Sequence, residues 1–179
     1  YTLFDEEGRP LEKGVYKDDL LTGAREQFYP NEKLAFKATY QDGLLEGELN
    51  EWDPSGNLLL RAFYSKGLLH GELGKVARTS YYPNQAIECL EDYRFGLAEG
   101  THSAYHKNGK LASKVSFNKG LKEGLEETFS LSGDNLSASA YKNGIPVGKH
   151  EKKYQSGGLS FVALSDDLGN LMQTIQASA

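Results

Sequence analysis

Glycine returns along this sequence at a fixed interval, and this spacing constrains the fold more than any other feature. Six glycines are separated by 24 residues, apart from one interval of 29. A second series precedes the first by four residues. A period of this length indicates a short supersecondary unit stacked on copies of itself. The first series is Gly23, Gly47, Gly71, Gly100, Gly124 and Gly148, and the second is Gly43, Gly67, Gly96, Gly120 and Gly144.

The unit from Gly47 to Gly71 has the pattern of a β-hairpin. Its first segment, residues 48–52, precedes Asp-Pro-Ser-Gly-Asn, in which proline and glycine favour a turn. Residues 58–64 alternate between two sets of side chains, as a strand does. A second turn at residues 65–67 leads into the next unit. Repeated along the chain, the pattern predicts an all-β, elongated, single-layer antiparallel meander of tandem hairpins, with about 24 residues per repeat.

We expect one repeat array over residues 1–179. A partial repeat covers 1–22, and a C-terminal cap covers 166–179. The unit that starts at Gly71 has five extra residues within 72–80, which predicts a bulge or protruding loop. The full repeats are 23–46, 47–70, 71–99, 100–123, 124–147 and 148–165.

Aromatic residues recur in register at the ends of both strands of each unit. A sheet with water on both faces has to bury apolar surface somewhere, and burying one ring removes roughly 150–250 Å² from water. We therefore expect the rings to form a structural ladder over glycines of neighbouring strands. The first strands contribute Phe28, Trp52, Tyr81, Tyr105, Phe129 and Tyr154. The second strands contribute Tyr16, Tyr40, Tyr64, Tyr93, Phe117 and Tyr141.

The charge of the chain is uneven. Residues 1–99 carry 18 acidic and 11 basic side chains, whereas residues 100–179 carry 7 acidic and 9 basic ones. The net charge of −5 argues against nucleic acid and anionic lipid as partners, although the more basic C-terminal part leaves membrane association open. The acidic part suits a basic protein partner, and a merely solvated surface is the alternative. The predicted contact residues are Glu46, Glu48, Glu51, Glu72 and Tyr82.

No residue pattern in the sequence is typical of catalysis. The chain has no nucleophile elbow, phosphate-binding glycine loop or calcium loop. Its single cysteine, Cys89, excludes an internal disulfide and is expected to pack as a small hydrophobe. His102 and His106 lack an evident third metal ligand, so we expect surface histidines and neither a metal nor a cofactor. We expect no enzymatic activity.

The first residue, Tyr1, falls partway through a repeat and is not a methionine. We therefore expect an upstream segment, which is a signal peptide, another repeat or a cloning boundary. A cytoplasmic location is the expectation, and a removed signal peptide would change it.

Residues 105–124 combine these features most clearly. They read Tyr-His-Lys-Asn-Gly-Lys-Leu, then an alternating strand that ends at Phe117, then Asn-Lys-Gly-Leu-Lys-Glu-Gly. This pattern extends over about residues 4–165 and resembles the MORN-repeat variant family, in particular the bacterial YwqK-type antitoxin proteins. The resemblance implies a twisted hairpin array without catalytic residues. It also implies a role in neutralising a cognate toxin.

Two classes of function agree with this resemblance. One is a non-enzymatic protein-interaction scaffold, whose most specific form is an antitoxin or immunity protein that blocks a basic toxin or effector. The other is a membrane- or lipid-associated scaffold, the role often assigned to eukaryotic MORN proteins. Glu32 and Gln85 depart from the family pattern because each replaces the turn glycine, which predicts looser turns there.

Overall fold

A computed structural model describes residues 1–72, 76–154 and 156–176 of the chain. In this part every regular element is a β-strand, and successive strands pair in antiparallel order. The all-β antiparallel meander predicted from the sequence is thereby confirmed. The chain divides into two compact units. Unit 1 comprises residues 1–87 and 93–96, and unit 2 comprises residues 88–92 and the described residues from 97 onward.

In unit 1, each strand from β1 to β6 pairs with the next one, and β7 and β8 both pair with β6. This order follows from short turns, which bring consecutive strands side by side. The strands are β1 Thr2–Phe4, β2 Pro10–Lys17, β3 Leu20–Phe28, β4 Leu34–Gln41, β5 Leu44–Trp52, β6 Leu58–Ser65, β7 Leu68–Leu69, β8 Arg78–Tyr81 and β10 Tyr93–Arg94.

In unit 2, β9 pairs with β12, and from β12 each strand pairs with the next one to β18. Residues 177–179 of the predicted C-terminal cap lie outside the described residues, as do residues 73–75 of the predicted loop. The strands are β9 Ile87–Glu91, β11 Leu97–Ala98, β12 Gly100–Tyr105, β13 Leu111–Asn118, β14 Leu121–Phe129, β15 Asn135–Lys142, β16 Ile145–Lys153, β17 Leu159–Ser165 and β18 Leu171–Gln176.

A five-residue turn closes one end of each hairpin. In the turn that starts at Asp53, the N–H of Asp53 donates to the carbonyl of Asn57, and the N–H of Gly56 donates back to Asp53, both at 2.9 Å. The fourth residue has a positive φ, +92° at Gly56, which favours glycine. The same pair of hydrogen bonds forms at this end in turns that start at Asp5, Tyr29, Asp53, Tyr82, His106, Ser130 and Tyr154, and at the other end in the turn that starts at Asp166, after β17.

Glu32 and Gln85 occupy that fourth turn position without being glycine. Their φ angles are +61° and +64°, so the backbone keeps its left-handed conformation. Their N–H groups donate at 2.8 Å, the same distance as that of Gly109 in an unaltered turn. The expectation of looser turns is therefore wrong, because the departure is absorbed as backbone strain and not as a longer hydrogen bond.

Four glycines of the first series, Gly23, Gly47, Gly124 and Gly148, mark β-bulges. Gly124 has a φ of +84°, and the pairing of β14 with β13 shifts register beside it, between Val115 and Phe117. Across the other strand pair, Gly124 lies opposite Tyr141. An L-residue would be strained at this φ, which explains the glycine. The same cross-strand pairing joins Gly23 to Tyr40, Gly47 to Tyr64 and Gly100 to Phe117.

The two aromatic series therefore have different neighbours. Four members of the second series lie opposite glycines, whereas Tyr16 of that series lies opposite Leu21. Phe28 and Trp52 of the first series lie opposite Leu34 and Leu58. The ring contact with these glycines stays a prediction, since no aromatic ring lies within 4 Å of the place that a β-carbon on Gly23, Gly47 or Gly124 would take. The first-series members are half-buried apart from Tyr154, which is 41% exposed.

Burial in both units is spread thinly. Ala38 and Ala62, at equivalent repeat positions, are fully buried, whereas no large side chain of the described residues is completely buried. The fully buried positions are thus held by small residues, whereas the larger aromatic and leucine side chains around them stay partly exposed. Stability thus depends on many half-buried side chains, and the structural role of the aromatic ladder stays a prediction.

Glu12 on β2 organises the first strands of unit 1. Arg25 donates two hydrogen bonds to its carboxylate, at 2.7 and 3.0 Å, and Gln27 donates a third at 2.8 Å. The hydroxyl of Tyr1 donates to the same carboxylate. Chiefly because Arg25 and Tyr1 stabilise the ionised form, the pKa of Glu12 falls to about 2.

Candidate functional site

Two-residue turns close the other end of the hairpins. Both central residues have positive φ, +49° and +79° for Asp42 and Gly43, and +49° and +84° for Lys119 and Gly120. This is type I′ geometry, which matches the twist of the flanking strands. The turns are Asp18-Asp19, Asp42-Gly43, Lys66-Gly67, Phe95-Gly96, Lys119-Gly120 and Asn143-Gly144.

Each two-residue turn is followed at once by an aliphatic residue that contacts the next turn. The Cδ2 atom of Leu20 lies 3.4 Å from the place that a β-carbon on Gly43 would take, and that of Leu121 lies 3.5 Å from the same place at Gly144. Leu44, Leu68 and Leu97 contact Gly67, Gly96 and Gly120 in the same way. We call Leu20, Leu44 and Leu68 the unit 1 row, and Leu97, Leu121 and Ile145 the unit 2 row.

The two rows remain open to solvent. Their six side chains are 45% to 52% exposed. Neighbouring members are one repeat apart, which corresponds to roughly 10 Å across two strands. Aliphatic groups that recur in register at an exposed edge are a reason to expect a contact surface. We call this end of the hairpins the apolar edge of each unit, and the end with five-residue turns the polar edge.

Carboxylates hold the two-residue turns in place. An oxygen of Glu46 accepts a hydrogen bond from the backbone N–H of Lys66 at 2.7 Å. One repeat period separates Glu99 from Glu123, which accept from the N–H groups of Lys119 and Asn143 at 2.9 and 2.8 Å. Each of these glutamates precedes a glycine of the first series, so the repeat itself places them.

The apolar edges of the two units place their charges differently. In unit 1, the carboxylates of Asp18, Asp19 and Asp42 make no hydrogen bond or ion pair within the described residues, and neither do the cationic side chains at the same edge, Lys17, Lys66 and Arg94. In unit 2, the charged side chains at this edge without such a bond are Lys119, Lys142 and Asp167, the last in the turn that Ile145 contacts. Each edge therefore carries both signs of charge, with three aspartates in the two-residue turns of unit 1 and a lysine in one of those of unit 2. A notch of about 230 Å³ in unit 1 is lined by Gln41, Asp42, Leu44, Glu46 and Lys66.

The contact residues predicted from the sequence do not form one surface. Glu46 lines the notch at the apolar edge. The carboxylate of Glu48 lies 3.0 Å from the Nε of Arg61, whereas Glu51, three residues along the same strand, faces the other side of the sheet. Tyr82 begins a five-residue turn at the polar edge.

The irregular segment at residues 72–80 is described only in part. Glu72 directly precedes residues 73–75, which lie outside the described residues. Arg78 begins β8, which pairs with β6. Part of the extra length is thus used for strand pairing in unit 1.

At the polar edge, side chains connect one turn to the next. In unit 1, the hydroxyl of Tyr29 donates to the carbonyl of Trp52 at 2.7 Å, and Lys33 donates to the carbonyl of Ser55 at 2.5 Å. The amide of Asn31 donates to the same following turn at 2.8 Å. These bonds satisfy turn carbonyls and couple neighbouring hairpins.

Unit 2 repeats this arrangement with a histidine in place of the tyrosine. The Nε2 atom of His106 lies 3.0 Å from the carbonyl oxygen of Phe129, and Lys110 donates to the carbonyl of Ser132 at 2.6 Å. The amide of Asn108 donates to the following turn at 3.0 Å. His106 thus takes the structural position of Tyr29.

In other turns at the polar edge, the carboxylate of the first turn residue accepts hydrogen bonds from backbone N–H groups of the same turn. Asp53 accepts from the N–H groups of Ser55 and Asn57 at 2.8 and 2.9 Å. The hydrogen bonds from the side chain and backbone of Asn57 hold the pKa of Asp53 below its ordinary value. Asp5 caps its own turn at this edge in the same way, and Asp166 caps the turn after β17, which lies at the apolar edge against Ile145.

The remaining histidine and cysteine side chains form no obvious reaction centre. Cys89, Glu91 and His102 line a shallow depression of about 210 Å³ in unit 2. The Nε2 atom of His102 lies 2.5 Å from the backbone carbonyl of Asp92. Among the residues that the structure describes, no group of three or more His, Cys, Asp and Glu side chains is placed to hold a metal ion. Within the same ranges there is no candidate membrane-spanning helix.

The sequence analysis missed the two aliphatic rows. Their signal was visible, because a leucine or isoleucine follows every two-residue turn at the repeat interval. What the sequence did not show is that these side chains stay half exposed. The exposure of these six side chains follows from their position beside a turn at the end of the strands. The alternation of inward and outward side chains along a strand does not predict it.

Comparison with known proteins finds a repeat family that two segments of the chain match. A family model for the MORN repeat variant matches residues 21–42 and 98–119. The match at residues 21–42 begins after one two-residue turn and ends in the next one, in unit 1. The match at residues 98–119 covers the equivalent segment of unit 2. MORN repeats generally mediate protein or membrane interactions, and the family is a non-enzymatic repeat scaffold. A search of curated proteins finds no significant match.

Proposed function

We propose that the chain is a non-enzymatic scaffold that binds a basic partner protein through the apolar edge of unit 1. The observation that carries this proposal is the unit 1 row, three half-exposed leucines beside three carboxylates without partners in the described residues. Apolar side chains supply binding free energy when they are desolvated, and the charges around them select the partner. The notch at Leu44 offers a place for one anchoring side chain.

The most specific form of this proposal is an antitoxin or immunity protein. The surplus of acidic side chains in residues 1–99 supports a basic toxin or effector as the partner. Long-range attraction raises the association rate of oppositely charged proteins and falls with added salt. The scaffold would act by covering the partner's functional surface.

The apolar edge of unit 2 favours a second candidate, association with an anionic membrane. Leu97, Leu121 and Ile145 would insert between headgroups while Lys119 and Lys142 meet lipid phosphates. Cosedimentation with phosphatidylserine vesicles tests this candidate. Retention of binding by Lys119→Asp and Lys142→Asp variants would contradict it.

Affinity capture followed by measurement with purified components tests the protein-binding proposal. The captured protein must be basic, and its complex must weaken as the salt concentration rises. Leu44→Asp is expected to weaken the purified complex by about tenfold or more, because it removes an anchor and adds repulsion within the row. Leu121→Asp is the matched control, since it makes the same change at the same repeat position in unit 2 and should leave affinity unchanged.

The same measurement tests the contact residues predicted from the sequence. Charge reversal at Glu48 and Glu51 would reduce affinity if those residues contact the partner. Charge reversal at Asp18 and Asp42 would do so if the apolar edge is the contact surface. A complex that tolerates the Asp18, Asp42 and Leu44 variants would overturn the proposal for the edge.

A further inference from the structure

We propose that unit 2 binds a saccharide in a cleft at its polar edge, between the turn that starts at Ser130 and the turn that starts at Tyr154. This goes beyond the proposed function, because the site lies on the other unit and at the other edge, and its ligand is uncharged. The observation that carries the inference is a group of departures from the repeat that meet in this one cleft.

The cleft has a volume of about 410 Å³, which lies within the range of roughly 300–1,000 Å³ that is typical of ligand pockets. Gly157 forms part of its wall. Gln155 lies outside the described residues, and the site is built without it. The polar residues that line the cleft are Asp134, Asn135, Lys153, Tyr154 and Ser156.

The cleft is open because a lysine that covers the following turn elsewhere is replaced here. The Cδ atom of Lys110 lies 3.8 Å from the place that a β-carbon on Gly133 would take, and Lys33 covers the equivalent glycine in unit 1. Beyond the residues next to Gly157 in the chain, no atom of the described residues lies within 4 Å of the same place at that glycine. The turn before it has Asp134 at the position of the two lysines.

The other side chains that bridge neighbouring turns are also missing at the cleft. Ser130 and Ser132 stand in their place, and both hydroxyls donate to the same oxygen, Oδ2, of Asp134 in their own turn. Within the described residues, no side-chain hydrogen bond joins this turn to the next one. The bridging residues at these two positions are Tyr29 and Asn31 in unit 1, and His106 and Asn108 in unit 2.

The strand ends beside the cleft depart from the repeat as well. Lys153 precedes the turn at Tyr154, whereas an aromatic residue precedes each of the other polar-edge turns in the described part of the chain. Asn135, opposite Phe129, takes a position that is leucine or isoleucine in most of the hairpins. The aromatic residues at the position of Lys153 are Phe4, Phe28, Trp52, Tyr81, Tyr105 and Phe129. Polar departures that coincide at one place of a repeat point to a function other than folding.

The charges of the cleft fit a neutral ligand. Asp134 is ionised at neutral pH, because hydrogen bonds from its own turn, chiefly that from Ser132, hold its pKa below the ordinary value. Its carboxylate would repel an anion, and the ammonium groups of Lys153 and of nearby Lys110 would repel a cation. Saccharide hydroxyls donate to a carboxylate and accept from an ammonium, so one neutral ligand satisfies both.

An open aromatic ring and further polar groups complete the site. The hydroxyls of Tyr154 and Ser156 and the ammonium of Lys153 make no hydrogen bond within the described residues. The side chain of Tyr154 is 41% exposed. The C–H groups of a sugar ring pack against the electron-rich face of an aromatic ring. The ring therefore favours a saccharide over an amino acid, which would use the two charges alone.

Titration of the isotope-labelled chain, followed by NMR, tests the inference. The probes are the methyl glycosides of glucose, galactose, mannose and N-acetylglucosamine at millimolar concentrations. At least one glycoside should shift the backbone amide signals of Asp134, Ser156 and Gly157 until they saturate, because a few contacts in an open cleft give weak binding at one place. Tyr154→Ala should weaken this binding by about fivefold, since it removes the ring.

Asp134→Lys is the variant that closes the cleft. Lysine occupies this position in two other turns, so the variant should fold, and its side chain should cover Gly157. The dissociation constant of the glycoside should rise by about tenfold or more. Asp42→Lys makes the same change of charge in unit 1, and as the matched control it should stay within about twofold of the parent.

Saturable shifts with none of the glycosides would overturn the inference, and so would an Asp134→Lys chain that binds as the parent does. A parallel titration with glycine tests the zwitterionic alternative. Saturable shifts with glycine and with no glycoside would assign the cleft to an amino acid and not to a saccharide. The proposed function is tested separately, because Asp134→Lys leaves the apolar edge of unit 1 unchanged.

Discussion

The two ends of the hairpins couple neighbouring repeats by different means. At the polar edge, Tyr29 and His106 reach the backbone of the following hairpin through directed hydrogen bonds. At the apolar edge, a leucine rests on the next turn through van der Waals contact. A directed bond restricts the side chain that makes it, whereas the leucine contact, which falls on the second turn residue, places no demand on the side chain of the first.

This difference explains where the units diverge. The leucine after each turn makes the contact, so the first turn residue can be Asp42 in unit 1 and Lys119 in unit 2 with the same φ of +49°. The polar edge keeps matched donors in both units. Variation in charge therefore accumulates at the apolar edge, where it can select partners without disturbing the fold.

The largest expected effect tests whether aromatic rings beside the polar edge stabilise the fold. Trp52→Ala should lower the free energy of unfolding by about 2–4 kcal/mol, because it removes a half-buried ring while leaving the carbonyl that Tyr29 contacts. Denaturant unfolding measures the change. Leu68→Ala, at the apolar edge, is the comparison and should cost about 1 kcal/mol. If Trp52→Ala left the midpoint of denaturant unfolding unchanged and abolished partner binding, the ring would be a contact for the partner and not a structural residue.

Valine at matched turn glycines separates backbone strain from packing. Gly120→Val should destabilise by about 3 kcal/mol, because φ is +84° and the side chain of Leu97 lies 3.5 Å from a β-carbon there. Gly109→Val, at the polar edge, has a φ of +80° and open space around the β-carbon, so we expect about 2 kcal/mol. Equal losses for the two variants would show that the leucine contact at the apolar edge adds no constraint.

Removing one directed hydrogen bond tests the coupling at the polar edge. Tyr29→Phe keeps the ring and deletes the hydroxyl that donates to Trp52, so the expected loss is about 1 kcal/mol. Thermal or denaturant unfolding measures it. His106→Tyr is the control, since it places in unit 2 the residue that makes this bond in unit 1, and it should be nearly neutral. A neutral Tyr29→Phe would mean that solvent replaces the bond.

Acid should weaken the turns that an ionised aspartate caps. Asp53 has a lowered pKa, so its carboxylate adds stability above its ordinary pKa of 3.8 and loses that contribution as pH falls through the lower folded value. The difference in unfolding free energy between the parent and Asp53→Ala should therefore shrink from about pH 7 to about pH 2. A difference that stays constant with pH would contradict a role for the ionised cap.

Much of the hairpin architecture could be predicted from the sequence, and there are physical reasons why the remaining features could not. Periodic glycines and turn residues determine local geometry, so the hairpins and the antiparallel order were predictable. Glu48 and Glu51 show what the charge pattern did not reveal, because residues three apart in a strand face opposite sides of the sheet. Their contact with a partner stays a prediction. The role of Glu46 was also hidden, since its partner is the backbone N–H of Lys66 twenty residues away, a contact that side-chain chemistry alone does not reveal.

The smallest expected effect compares non-glycine residues in left-handed conformations at the two edges. Glu32, with a φ of +61°, has a side chain that makes no hydrogen bond or ion pair within the described residues to offset the strain. Glycine at this position would remove roughly 1–2 kcal/mol of backbone strain from the folded state. It would also increase the conformational entropy lost on folding, which costs somewhat less than the strain, so Glu32→Gly should raise the free energy of unfolding by about 0.5 kcal/mol. Phe95, at the apolar edge, has a φ of +49°, but its ring stacks on His70 with centroids 4.2 Å apart. Phe95→Gly should therefore give no gain, and a similar gain at both sites would show that the stacking contributes nothing.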